Sequence, residues 1–330
     1  MKRLDEIDDI RGISMIVMIL IHTNAYYLSS KVAFYTLELS QFAVVAFIFC
    51  SSYLYFQVSH PCSLNWFVSY MIKRLKRLLI PYYIFFVFYT VFLILQNPDK
   101  ITREYFVKNI VLTGGIEFNW LVLLFIYLTI LMPVFEILKN RYRLLLYIYT
   151  AIAFASSILF LKYTPLSYYR YIMWLPWSLV VIYTLYFDKI KNNSMYLVVW
   201  TGVFFLMFIV TRNLILIPLD HPVRMYSNKY PPNIYHLAYS LMCVNVLYLL
   251  IKYKVFVGLK PFVHFFSRNS YSLYFIHILV IYVFRSFVSI EFGWVGFFAV
   301  ILAVTSIIQL VLNLIGNKIT QHAIIVPEKK

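Results

Sequence analysis

The sequence predicts an all-α fold: a polytopic membrane helix bundle of about ten transmembrane helices with both termini cytoplasmic. Three observations predict it. Of 330 residues, 62% are hydrophobic and only 13% charged, with 30 Phe and 30 Tyr, a composition far from that of a soluble domain. The apolar residues fall in runs of about 18 to 20, the length a helix needs to cross a hydrocarbon core of roughly 30 Å. Lys and Arg gather between alternate runs, which orients the chain. Barrel strands would instead alternate over about ten residues, and no such alternation is seen.

The expected spans are 10–28, 39–57, 78–96, 120–138, 144–162, 171–187, 195–211, 234–252, 271–290 and 293–315. An even number returns both ends to one side. Nineteen Lys and Arg then lie on the amino-terminal side and ten on the other, which makes the amino-terminal side cytoplasmic. The first span is expected to be retained rather than cleaved, because Asp5, Glu6, Asp8 and Asp9 precede it and no small-x-small site follows. The net charge of +16 would suggest nucleic acid in a soluble protein. Here the basic residues sit between spans, so membrane lipids are the expected partner and nucleic acid is not. Cys50, Cys62 and Cys243 are scattered without a CxxC, so neither a disulfide framework nor a metal site is expected. Residues 1–330 read as one integral membrane domain with no soluble domain.

The first span, IDDIRGISMIVMILIHTN, carries the most chemistry. Arg11 and His22 are eleven residues apart, about 1,100° of helical rotation, so they share a face roughly 16 Å apart. Asp8 and Ser14, three residues to either side of Arg11, belong to the same stripe. Arg11 has two readings, a cytoplasmic anchor or a ligand contact. His22, deep in an apolar helix, is the kind of ionisable group that faces a protein interior or a wet cavity and serves a function.

Between the second and third spans, Leu64, Phe67, Val68, Met71, Ile72 and Leu75 recur at helical spacing and predict an amphipathic helix. The cluster Lys73, Arg74, Lys76 and Arg77 follows, and Pro81 suits the first turn of a fresh span. The cluster reads as an inner-leaflet anchor or as a docking site for a phosphorylated donor, and the two are compatible. The outer segments 97–119 and 212–233 contain Gly114, Gly115, Pro218, Pro222, Pro231 and Pro232, and are expected to be ordered turns more than helices.

With these residues in view, the chain resembles acyltransferase family 3, whose first helix has an Asp, then Leu/Ile-Arg-Gly, with ten residues between the Arg and a His. Here those are Asp8, Ile10, Arg11, Gly12 and His22. MIKRLKRLLIPYY resembles the family's KR-x-x-RL-x-x-PY run, with Arg74, Arg77, Pro81 and Tyr82 in step. NSYSLYFIHILVIY resembles its Asn-Ser-x-x-Ile-Tyr-x-x-His element and supplies His277, either a hydrogen-bonded bundle residue or a contributor to donor binding. AFIFCSSYLYF has Ser52 where the family usually has glycine, which either narrows a tunnel for the donor's arm or serves as a helix contact. FNWLVLLFIYLTILMP resembles a span ending in proline, with Trp120 read as an interfacial aromatic. YPPNIYHLAYS resembles a segment of some polysaccharide-modifying members.

The resemblance implies a membrane-bound O-acyltransferase, multi-pass in the plasma membrane. It would move an acyl group, expected to be acetyl, from cytosolic acyl-coenzyme A to a hydroxyl of a surface or lipid-linked glycan. No cofactor is implied to be permanently bound; acyl-coenzyme A is a co-substrate and a carbohydrate the acceptor. In that reading His22, Arg11 and Asp8 serve catalysis, and Arg11, Arg74, Arg77 and His277 bind the donor. Such transfer needs a base for the hydroxyl proton, and a free histidine, titrating near about 6.5, is largely neutral at pH 7. His22 acting as base and His22 carrying the acyl group both remain open. A membrane transporter or polymerase of glycans is the alternative class, although no inverted repeat is visible.

Overall fold

The computed structural model describes residues 4–325 except Cys62, Pro165, Asp220 and 289–291, with side chains described up to residue 317. The expectations on Cys62, Lys2, Arg3, Lys329 and Lys330, and on the Lys318 side chain, lie outside the described residues. The described backbone is helical: α1 (Asp5–Asn24), α2 (Lys31–Leu39), α3 (Ala43–Phe56), α4 (Leu64–Gln96), α5 (Arg103–Ile110), α6 (Asn119–Arg141), α7 (Arg143–Tyr163), α8 (Tyr169–Ile172), α9 (Trp174–Lys191), α10 (Ser194–Leu216), α11 (Ile234–Lys252), α12 (Lys260–Arg268), α13 (Ser270–Phe287) and α14 (Trp294–Ile325).

Among the described residues, eight stretches are long and apolar enough to cross a membrane. The two other expected spans, α1 and α9, are helices in the expected places, but charged residues (Asp8, Asp9 and Arg11; Asp188, Lys189 and Lys191) interrupt their apolar runs near one end. Their burial explains how the charges are tolerated. α1 packs against α3, α11, α12, α13 and α14, so it is the axis of the bundle and meets protein on most sides. α10 and α14 instead leave most of their surface outside, with Leu206, Leu214 and Leu314 exposed, as helices facing lipid do.

Two local expectations are corrected. Residues 64–96 form one helix with Pro81 inside it, not an amphipathic helix followed by a fresh span. At about 1.5 Å per residue it is ~50 Å long, more than a bilayer core, so its amino-terminal half projects beyond the hydrocarbon. A proline's missing donor is tolerated in such helices where neighbours satisfy the freed carbonyl. α6 likewise runs through Pro133, as the expected span 120–138 does, and ends at Arg141. The segment 97–119 contains a helix, α5, because the Thr102 side chain accepts from Tyr105 N and caps it.

The turn after α5 is fixed by one asparagine. Asn109 Oδ1 accepts from Ile116 N at 2.9 Å and from Asn119 Nδ2 at 3.2 Å, while Asn119 Nδ2 also donates to the Gly114 carbonyl at 2.7 Å. Gly115 has φ +78° with the Asn109 amide packed where a Cβ would stand, so glycine is needed there. This turn delivers Glu117 and Phe118 to the head of α6, where they face the end of α1.

Candidate active site

α1 ends at Asn24, four residues earlier than expected, which leaves His22 in its last turn. Beyond it opens a cavity of about 670 Å³. Its walls come from Met18, Ile21 and His22 of α1, Glu117, Phe118, Trp120 and Leu121 around the start of α6, Tyr169 and Arg170 of α8, Tyr274, Ile278 and Ile281 of α13, and the loop carrying Tyr226, Lys229 and Tyr230. The lining is dominated by aromatic rings with a few polar groups, the composition of a site for a sugar or other amphipathic ligand.

His277 stands behind His22. His22 Nδ1 lies 2.7 Å from His277 Nε2, and His277 Nδ1 lies 2.8 Å from the Leu273 carbonyl oxygen. A carbonyl only accepts, so His277 carries its proton on Nδ1 and, when neutral, presents a lone pair at Nε2. His22 Nδ1–H must then donate to it. The His22 tautomer is thereby set, with the Nε2 lone pair on the side of the ring away from His277. His277 is fully buried and His22 is not, so of the two rings only that of His22 lines the cavity. The rings are nearly coplanar, at 12° with centroids 5.0 Å apart, and Phe118 holds the His22 ring edge-on at 5.2 Å.

The expected residues at the other end of α1 gather separately. Asp8 Oδ1 is 3.6 Å from the Arg11 guanidinium and accepts from Ser267 Oγ at 3.0 Å, so α12 and Arg11 share one carboxylate. Lys260 pairs with Asp5 at 2.5 Å and His264 with Asp9 at 2.9 Å, which fastens α12 across the start of α1. The Asp5 carboxylate, accepting from Lys260, holds that ammonium above its ordinary range. Arg74 lies 5.7 Å over the Tyr70 ring, and Arg11 and Arg74 are both close enough for their charge to act on Arg77. Arg11, Arg74 and Arg77 therefore form one basic end, roughly 16 Å along α1 from His22. His277 lies with His22 and not at that end. Ser14, expected on the functional stripe, is buried and donates to the Ile10 carbonyl at 2.7 Å.

For Ser52 one of two readings is selected, and for Trp120 the expectation changes. Ser52 is a buried helix contact, sharing a 2.7 Å hydrogen bond with Thr184 Oγ1 of α9 and reaching the Ile48 carbonyl. Trp120 is not an interfacial aromatic but a buried cavity wall, 5.0 Å from Tyr230 and 6.4 Å from Trp177. Sequence reasoning missed Lys229, Arg170 and Glu117, which give the cavity its charge. The available signal was their setting, a lysine inside KYPPN and an arginine inside SYYRYIMW, cations embedded in aromatic, proline-bearing outer loops.

Among known protein families, the one described as Acyltransferase domain matches residues 4–313, nearly the whole chain. Comparison with curated proteins and with solved structures finds no match.

Proposed function

We propose a reaction for this chain, which belongs to the acyltransferase family and is a membrane protein: transfer of an acyl group, acetyl in the simplest case, from cytosolic acyl-coenzyme A to a hydroxyl of a cell-surface or lipid-linked glycan at the plasma membrane. The observation that carries this reading is the His277–His22 pair at the wall of an aromatic cavity. A base must offer a lone pair to the acceptor hydroxyl, and this pairing leaves His22 with one.

In the proposed course, His22 Nε2 takes the proton of the sugar hydroxyl as its oxygen attacks the thioester carbonyl carbon. The tetrahedral intermediate collapses with cleavage of the carbon–sulfur bond. The thiolate leaves with the proton returned by the His22 imidazolium, whose Nδ1–H stays bonded to His277 throughout. The donor enters from the basic end, where Arg11, Arg74 and Arg77 meet its phosphates and Asp8 holds the Arg11 guanidinium. The acceptor enters through the cavity at the far end of α1. His277 acts through His22 and is a positioning residue in this scheme.

The test is transfer of radiolabel from acetyl-coenzyme A to a surface-polysaccharide acceptor by purified protein in lipid nanodiscs. Wild type should label the glycan, and His22→Ala should lower the rate by at least about a hundredfold, the usual weight of a positioned base. Full activity in His22→Ala would remove the base. Movement or polymerisation of lipid-linked glycan with no labelled product would favour the transporter or polymerase class.

A further inference from the structure

Lys229 is 4% exposed, and a lysine so buried needs a reason, because removing an ammonium from water is costly unless its charge is met. Its Nζ donates to Gln41 Oε1 at 3.1 Å and lies 5.4 Å over Trp120 and 5.5 Å over Tyr230. An amide oxygen and two ring faces ease the burial without supplying a counter-charge. The contact is built rather than accidental. Gln41 is fully buried, and its Nε2 donates to the Leu37 carbonyl at 3.1 Å, which fixes the amide so that its oxygen faces the lysine. The loop bearing Lys229 is held by Asn228, whose Nδ2 donates to the carbonyls of Pro222 at 2.9 Å and Arg224 at 2.7 Å.

Arg170 repeats the pattern on the neighbouring short helix α8. Its guanidinium donates to the Leu112 carbonyl at 2.9 Å and to Asn119 Oδ1, both neutral acceptors, and lies 5.7 Å over the Tyr169 ring. Tyr169 and Tyr230 touch at 5.2 Å between centroids, so the two cations flank a pair of tyrosine rings on one wall of the cavity. Among the described residues, neither cation is within ion-pair distance of a carboxylate, although Glu117 lines the same cavity.

We infer that Lys229 and Arg170 form an anion-binding subsite across the Tyr169–Tyr230 wall, so that the acceptor presented to His22 bears a negative charge, a carboxylate or a phosphate, on or beside the sugar that is acylated. The inference rests on the acyl-transfer reading above. Aromatic faces take the apolar side of the sugar ring, and the flanking cations take the charge.

The experiment measures binding by full-length protein in nanodiscs without any acyl donor, using methyl β-glucuronide, glucose 6-phosphate and uncharged methyl β-glucoside as probes. Wild type should bind one or both charged probes at least tenfold tighter than the glucoside, and the preferred probe identifies carboxylate or phosphate as the group. Lys229→Met, of similar length without charge, should reduce the ratio of charged to neutral affinity at least tenfold, and Lys229→Arg should retain it. Equal affinity of wild type for all three probes would overturn the proposal, as would an unchanged ratio in Lys229→Met. If Lys229→Met does not accumulate, the wild-type ratio alone decides. Because no turnover is measured, a failure here leaves acyl transfer standing, and a failure to transfer label leaves this result intact.

Discussion

Gly12 of α1 sits so close to α12 that a Cβ on it would stand 2.1 Å from the Val263 carbonyl oxygen. The obstacle is backbone, which cannot rotate away, and the same helix pair is fastened by Lys260–Asp5, His264–Asp9 and Ser267–Asp8. The glycine beside Arg11 thus sets how tightly α12 closes over the start of α1.

Gly12→Ala should therefore push α12 off α1 and lower stability by about 1–3 kcal/mol, the usual range for overpacking. The thermal midpoint of the purified protein reads this directly. A midpoint equal to wild type would mean that α12 does not pack as closely as described.

His277 should be tested by pairs of substitutions. His277→Leu removes the acceptor for His22 Nδ1–H, so kcat should fall at least tenfold with little change in acceptor KM. His277→Gln supplies a carbonyl oxygen in place of Nε2 and should recover part of the rate. Equal loss in both variants would reduce His277 to packing.

At the basic end, Arg11→Lys retains charge but loses the planar fork. Equilibrium binding of acyl-coenzyme A should weaken about tenfold, or about 1.4 kcal/mol. Neutralising Lys73 and Lys76 together should have a smaller effect that fades with salt, since exposed charges are screened over about 10 Å at 0.1 M. Unchanged affinity in Arg11→Lys would leave that residue as an anchor.

The cavity lysine predicts a pH dependence. Burial pushes the Lys229 ammonium down to about 7, against 10.5 for the free group, so it is charged below that pH and neutral above it. Arg170 and Glu117 line the same cavity, and His22 and His236 feel the Lys229 charge. An anion favours the charged form, so affinity for the better charged probe should fall as pH rises from 6 to 8, while the glucoside should vary less. For folding the sign is opposite: between about 7 and 10.5 the unfolded chain holds this proton and the folded chain does not, so the lysine's contribution to stability rises with pH across that window.

Orientation is tested by reporter fusions. Those at Arg143, Lys191 and Lys254 should report the cytoplasm, and those at Lys100 and Ser227 the exterior. One clear reversal would break the proposed ten-span arrangement with both termini inside.

Sequence alone was enough for the helical membrane class and for the places of the long helices. These depend on apolar run length and on the 3.6-residue period, which are properties of neighbours along the chain. Helix ends were less legible. Pro81 reads in the sequence as the start of a fresh span, yet in α4 the helix runs through it, because other helices and lipid leave the backbone no better partner than itself. The site was decided by the tertiary structure. His277 meets His22 across 255 residues, Lys229 meets Gln41 across 188, and Gly12 meets Val263 on another helix. No local pattern encodes such distances, since burial of an aromatic such as Trp120 or a cation such as Lys229 follows from which helices and loops surround it. His22 was legible as a candidate from its position in an apolar helix, but its tautomer, its cavity and the charge facing that cavity exist only once the bundle has closed.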